Sequence, residues 1–247
     1  MFTGVGAIGA SNSYCAQSVG PGGWAPTAFN FNVGSLLDIG VAGATLGFSG
    51  QETVVAFFVI EAHTSPVAYF WAPFPEVSGV PEFPGPGSPY VQPRNLDHGP
   101  VVVSAGLNPR LAGGPAGLFL LSEDSGATAS SPYKLDVRKW GPTAHAFGAP
   151  TLVATVPSGV GSNAEGGFTE DTQSGALYVA WPAAGPAGSY VMNVWVSRDG
   201  GKTFAGPTAV GTFAFGYASE ARMAMTGGKG FLTWQDYHGL ALVDLSS

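Results

Sequence analysis

Short apolar or alternating runs recur along this chain, each set off by Gly, Pro, Asp or Ser. ETVVAFFV from Glu52, AGLFLLSE from Ala116, GALYVAWP from Gly175 and KGFLTWQD from Lys229 each follow a Gly or a polar turn. A short, nearly continuous apolar run of this kind reads as a strand buried on both faces. The clearest unit places four strands at Gly166 to Thr169, Ala176 to Trp181, Tyr190 to Ser197 and Pro207 to Phe213, with turn residues between them. No stretch keeps a helical period, and the Gly and Pro density would break most candidate helices. The pattern predicts an all-β chain.

The runs also repeat. Phe204-Ala205-Gly206-Pro207-Thr208 echoes Phe147-Gly148-Ala149-Pro150-Thr151, 57 residues earlier. Trp24-Ala25-Pro26-Thr27 lies a further 124 residues back, close to two periods. Four short antiparallel strands per period, with small apolar inner strands, is the signature of a β-propeller blade, in which radial stacking buries both faces of each small sheet. The expectation is one domain over 1–247, in units of roughly 1–34, 35–91, 92–158, 159–213 and 214–247, giving about four blades. Two arrangements remain open: a closed small ring whose last blade shares an N-terminal strand, or part of a longer, six- or seven-bladed propeller.

Composition narrows the function classes. Hydrophobic residues make up 45% of the chain and charged residues 10%, so apolar material for a core is ample. The net charge is −7, and no Lys or Arg precedes Arg94. A nucleic-acid partner is therefore not expected. The longest strongly apolar run, Val54 to Ile60, is far short of the roughly 20 residues of a membrane helix, so no membrane insertion is expected. The opening MFTGVGAIGASNS has no basic residue and does not read as a secretion signal. Cys15 is the one cysteine, which rules out an internal disulfide and reads as a small buried hydrophobe.

Charged residues cluster unexpectedly in SRDGGKTF, Ser197 to Phe204, between two predicted strands. It fits S-x-D-x-G-x-T-[FW] at Ser197, Asp199, Gly201, Thr203 and Phe204. This resembles the Asp-box, or BNR repeat, of sialidase-like β-propellers. The local logic is that Asp and Ser side chains hydrogen-bond turn amides, Gly supplies a left-handed backbone, and the ring packs beneath the blade. In the families it resembles, the box joins the third and fourth strands on the face away from the active site, so a structural role is expected for these five residues. The other units depart from the pattern, with RKWG before FGAPT and SVGPGGWAPT in the matching places.

The resemblance also implies a functional face, formed by the loops entering each first strand and those between second and third strands. The repeat places Arg94, Asp97 and His98, then Asn163 and Glu165, then Tyr217, Glu220 and Arg222, on the first set of loops. The second set adds Glu61, His63, Glu123, Asp124, Asp236, Tyr237 and His238. Glu220 and Arg222 flank Ala221 and would project to one side of an inner strand. A sialidase-type site needs three arginines for a substrate carboxylate, a tyrosine nucleophile beside a carboxylate, and an acid. Of the five arginines, Arg110 is read at the far end of an inner strand, and Arg138 and Arg198 in outer turns. Trp71, Trp181, Trp195 and Trp234 read as core, whereas Trp24 and Tyr237 read as turn residues. Glu123-Asp124 and Glu170-Asp171 are isolated acidic pairs, so neither a metal nor a cofactor is expected. The segment Pro73 to Pro93 reads as a polyproline-rich excursion capping an outer strand.

The leading expectation is a non-catalytic module that binds a glycan or a protein on the channel face, with Arg94, Asp97, His98, Glu165, Tyr217, Glu220, Arg222, Asp236 and Tyr237 as the contacts. A glycoside hydrolase of the exo-sialidase type and a structural propeller within a larger assembly are the alternatives. By resemblance alone, the setting is extracellular or at the cell surface.

Overall fold

In the computed structural model the described residues are 12–18, 24–30, 40–49, 52–60, 66–73, 98–124, 132–157, 166–214, 219–236 and 239–246, with side chains described only from Val103 onward. They form seventeen strands in chain order. These are β1 (Asn12–Ser18), β2 (Trp24–Asn30), β3 (Gly40–Ser49), β4 (Glu52–Ile60), β5 (Pro66–Pro73) and β6 (His98–Gly114). β7 (Gly117–Asp124), β8 (Tyr133–Gly141), β9 (Ala146–Phe147) and β10 (Thr151–Val156) follow. The chain continues through β11 (Gly167–Glu170), β12 (Leu177–Ala184), β13 (Ser189–Ser197) and β14 (Ala205–Ala214) to β15 (Ser219–Thr226), β16 (Lys229–Asp236) and β17 (Gly239–Asp244). Among the described residues, the helical content is one 3-10 turn at Pro186–Gly188.

Every strand pair is antiparallel between chain neighbours, apart from β8 with β10, which skips the short β9. β11 to β14 form a four-stranded sheet in sequence order, and β15 to β17 a three-stranded one. These four strands, β11 to β14, coincide with the four segments the pattern marks in the clearest unit. β1 and β2 pair with each other. The remaining strands run as one sheet because the 17-residue β6 belongs to two units: residues 98–105 pair with β5 and residues 106–114 pair with β7. The sheet of the second unit thus takes its last strand from residues the sequence assigns to the third. The first strands β3, β6, β11 and β15 touch in succession, which sets the sheets radially around a common inner side.

β12 shows why such an arrangement holds. Its sequence LYVAWPAA is apolar at every position, and a strand turns alternate side chains to opposite faces. Leu177, Val179 and Trp181 pack against Phe119, Leu121, Tyr133, Leu135 and Val137 of the preceding sheet. Tyr178 and Ala180 pack with Met192 and Val194 against Ala221, Met225, Leu232 and Trp234 of the following one. Each fully buried Leu in these layers stabilises by about 1.5–3 kcal/mol. Trp181, Trp195 and Trp234 are core residues, while the Trp71 side chain lies outside the described set.

The opposite ends of the sheets are stitched by an acidic pair that the sequence leaves without a role. Glu170 accepts the N–H of Ala116, in the turn between β6 and β7. Asp171, fully buried, accepts N–H groups from Gln173 and Ser174 in its own turn, at 2.8 and 3.0 Å, and from Gly227 and Gly228 in the β15–β16 turn, at 2.9 and 2.6 Å. Burial alone would raise the Asp171 pKa, but the four backbone donors outweigh it and hold the carboxyl well below its usual range. Thr172 adds two bonds to the same neighbour, N–H to the Met225 carbonyl at 3.3 Å and hydroxyl to hydroxyl with Thr226 at 2.9 Å. One corner therefore ties three successive sheets.

The SRDGGKTF hairpin joins β13 to β14 at this same end. Asp199 Oδ1 accepts the Ser197 hydroxyl at 2.8 Å and the N–H groups of Lys202 and Thr203, both at 3.0 Å, while Oδ2 accepts the Thr203 hydroxyl at 2.6 Å. The Thr203 bonds are the main cause of a carboxyl held well below its usual range. Ser197 Oγ in turn accepts the N–H of Gly201 at 2.9 Å. Gly201, at φ +82°, sits where a Cβ would stand 3.1 Å from Phe119 and 3.2 Å from Leu177, so the hairpin needs Gly for both backbone and space. Phe204 packs on the core between the two sheets.

Candidate functional site

The end opposite these turns is where second strands finish and third strands begin. β7 finishes at Ser122, Glu123 and Asp124, and β8 opens at Tyr133. β12 finishes after Trp181 and β13 opens at Ser189 and Tyr190. Alternation turns Tyr133 and Trp181 toward each other across the two sheets, and the indole Nε1–H donates to the Tyr133 hydroxyl at 2.8 Å. A Cβ on Gly166 would collide with the Trp181 ring, so Gly lets the start of β11 lie against the indole.

Glu123 is 2% exposed and Tyr133 4%. Burial is the main cause that pushes the Tyr133 hydroxyl far above the ordinary tyrosine range, the Glu123 charge adds to it, and the Trp181 hydrogen bond opposes both. Tyr133 is therefore a neutral phenol that positions the strands around it, with no phenolate character at neutral pH. Tyr190 stacks on Phe213 with ring centroids 5.4 Å apart, and Phe213 meets Trp234 at 6.1 Å. Burial also raises the Tyr190 pKa.

Of the nine residues the sequence names as ligand contacts, Arg222 is the one whose side chain the structure describes. It is exposed on the first strand β15, and its Nη1 donates to the Ala221 carbonyl at 3.4 Å. Glu220 lies on the same strand, but the pairing of β15 with β16 shifts register between Ser219 and Arg222. That irregularity interrupts the alternation from which the sequence places Glu220 and Arg222 on one side. His98 opens β6, opposite Trp71, where a turn is expected, and Asp236 closes β16, opposite Gly239. Arg94, Asp97, Glu165, Tyr217 and Tyr237 lie outside the described residues. So do Glu61, His63, Asn163 and His238, and the Pro-rich stretch between Pro73 and His98. Among the described residues no group of three or more His, Cys, Asp or Glu could hold a metal ion, and no helix is long and apolar enough to cross a membrane.

Neither a protein-family model nor a curated protein sequence matches the chain. Solved structures do. A Hadza microbial sialidase, Hz136, superposes with a TM-score of 0.55 at 10% identity, over 81% of this chain and 43% of its own length. A Dyadobacter fermentans protein of unknown function gives 0.56 at 13%, over 95% of this chain and 68% of its own. The β-1,2-mannobiose phosphorylase of Listeria innocua gives 0.54 at 11%, over 95% and 67%. The chain folds as a sialidase-like β-propeller. Identities this low carry the fold alone. The chain spans under half the length of the sialidase it matches.

With blades as the frame, several sequence placements change. Arg138 lies within β8, in the third strand of its blade, and is largely buried rather than in an outer turn. Arg110 keeps the place the sequence reads for it, toward the Gly114 end of β6 and opposite Leu121, with its Nε shielded from solvent and Nη1 on the Pro109 carbonyl at 3.3 Å. Arg198 is exposed in the hairpin at the far end. Glu123 and Asp124 end a strand rather than occupy the loop after it, and Trp24 opens β2 rather than a turn. The pairing of Tyr133 with Trp181 across blades leaves no trace in the sequence beyond the alternation of YKLDV, because its partners are 48 residues apart.

Proposed function

We propose that this propeller is a non-catalytic recognition module that binds a glycan on the face where second and third strands connect, with Arg222 as a direct contact. The observation that carries the reading is the distribution of the arginines. Arg138 is buried inside a blade, Arg198 stands at the opposite end, and Arg110, at the place on β6 that Arg222 takes on β15, is half-buried with its Nε shielded from solvent where Arg222 is exposed. Arg94 and Arg222 remain for the face, one fewer than the three that clamp a sialic acid carboxylate in the family it resembles. The described tyrosine beside a carboxylate, Tyr133 with Glu123, is buried and neutral, which suits a support and not a nucleophile.

The glycan class is supported by the fold neighbours, among them a sialidase and a mannobiose phosphorylase. We read SRDGGKTF, as an Asp-box, in a blade-locking role away from the ligand, and the molecule, by the same resemblance, as extracellular or at the cell surface. The test is retention of the purified chain on a glycan panel. Retention that Arg222→Ala weakens at least tenfold supports the reading, and retention indifferent to Arg222 overturns it.

A further inference from the structure

Two successive clefts between sheets carry the same three positions at the end where second and third strands connect, with one change of residue. Tyr133 and Tyr190 are 57 positions apart, as are Val156 and Phe213. Each tyrosine stands at the start of a third strand, directly opposite its partner on the fourth: Tyr133 against Val156, and Tyr190 against Phe213. The third position is the tryptophan that the next second strand turns toward that pair, Trp181 on β12 and Trp234 on β16. In the first cleft the Trp181 indole donates to the Tyr133 hydroxyl at 2.8 Å, and both rings are buried. In the second, Trp234 is 3% exposed and its Nε1–H has no acceptor. Tyr190 is half-buried there and lies on Phe213, with ring centroids 5.4 Å and planes 19° apart.

A ring in place of an isopropyl group accounts for the difference. Val156 offers Tyr133 no ring to lie on, and the phenol reaches the indole. Phe213 offers Tyr190 one, and the stack holds the phenol away from Trp234. Phe213 also meets the Trp234 ring at 6.1 Å, so it touches both residues that correspond to the bonded pair of the first cleft. The two indoles lean differently as well. A Cβ on Gly166, just before β11 of the same sheet, would collide with the Trp181 ring, whereas for Trp234 the close glycine is Gly211 on β14, where a Cβ would stand 2.7 Å from Cη2 and 3.0 Å from Cζ2. The edge of the Trp234 ring next to Nε1 is therefore turned across the cleft, toward the sheet that carries Tyr190. A buried N–H without an acceptor keeps the full cost of its lost hydration, and native chains seldom leave one standing.

We propose that Tyr190 is a latch with two seats: the stack on Phe213, and a second seat in which its hydroxyl accepts the Trp234 N–H as Tyr133 accepts that of Trp181. An aromatic stack and a neutral hydrogen bond are of similar strength in proteins, and the second seat also satisfies the buried donor, so both seats are populated. In the second seat β13 and β16 are joined across the cleft by a hydrogen bond, as β8 and β12 are in the preceding one. In the first seat the phenol lies against its own sheet and that bond is open. The latch sits on the face to which we assign the glycan, and it does not rest on that assignment.

The indole N–H resonances of the nitrogen-15-labelled full chain test this. Tyr190→Phe keeps the ring and removes the hydroxyl, so the Trp234 Nε1 proton is expected upfield of its wild-type position, with the Trp181 signal unmoved. Phe213→Val gives the second cleft the residue of the first, and the Trp234 proton is expected to move downfield, toward that of Trp181. The same shift is expected to vanish in Phe213→Val/Tyr190→Phe, which separates the hydrogen bond from the lost ring current of Phe213. A Trp234 signal at one position in wild type and Tyr190→Phe overturns the proposal. So does a Phe213→Val variant whose Trp234 signal stays in place, or whose shift the double variant retains. Where Phe213→Val does not fold, Tyr190→Phe alone decides. No glycan is present in these spectra, so their failure leaves the recognition reading standing, and a silent glycan panel leaves the latch standing.

Discussion

The Asp171 carboxylate accepts the backbone N–H of Gly228 at 2.6 Å, across the boundary between two consecutive blades. Two residues 57 positions apart, one repeat period, are thereby joined at the same level of successive sheets. With Glu170 reaching back to Ala116, the β11–β12 corner couples three blades, adding to their apolar packing and to the Trp181–Tyr133 hydrogen bond at the opposite end.

Asp171→Ala removes four accepted hydrogen bonds at a buried position, and its neighbours' N–H groups lose their partner. A loss on the order of 3 kcal/mol is expected. Asp171→Asn keeps one acceptor oxygen and costs less. Urea unfolding of the three proteins measures the order; an alanine variant as stable as wild type removes the inter-blade tie from the account.

The depressed carboxyls set the acid limb of stability. Asp171 is ionised more readily folded than unfolded, so its contribution is complete above the ordinary carboxylate pKa of about 4 and is lost as pH falls from there toward the folded value. Asp199, held low chiefly by Thr203, and Asp244, held low chiefly by Ser246, act in the same direction. Stability should fall on acidification below about pH 4. The gap between wild type and Asp171→Asn should narrow over that range, which unfolding curves at stepped pH will show.

Glu170 has the opposite sign. Burial raises its pKa, against the Ala116 hydrogen bond and the Lys139 charge, so the folded chain favours the protonated acid. Its ionisation costs stability at neutral pH, and the cost disappears as pH falls through the raised value. Glu170→Gln, which can still accept from Ala116, should unfold at higher urea than wild type at neutral pH and at equal urea in acid. A variant less stable at neutral pH contradicts this.

The hairpin glycines separate backbone strain from packing. Gly200 and Gly201 both have positive φ, +71° and +82°, but an added Cβ meets nothing within 4 Å at Gly200, whereas at Gly201 it meets Phe119 and Leu177. Each Ala substitution carries the left-handed penalty of roughly 1–2 kcal/mol. Gly201→Ala should cost further through the displaced rings, and thermal melts of the two variants measure the difference.

The parts legible in the sequence were those written in local patterns. β11 to β14 follow from alternation and turn residues, and the Asp199 turn from eight consecutive residues whose hydrogen bonds all close within that segment. Partners from different repeats were not legible: Asp171 with Gly227 and Gly228, or Trp181 with Tyr133, because each residue alone reads as a turn acid or a core aromatic. The shift between Ser219 and Arg222 was hidden for another reason, since a strand irregularity leaves apolar alternation intact on both sides of it. Arg138 misled because its neighbours Lys139, Trp140 and Gly141 lead into a turn while Arg138 itself is still paired, opposite Leu120.

The measurement that bears most directly on the central claim is a sialylated and neutral glycan panel incubated with the purified chain and read twice, for protein retained and, by mass spectrometry, for sugar released. A recognition propeller retains protein on a subset of glycans, releases no sugar, and loses that retention in Arg222→Ala. Sialic acid released by the wild type and not by Arg222→Ala would make this chain a hydrolase and contradict the claim.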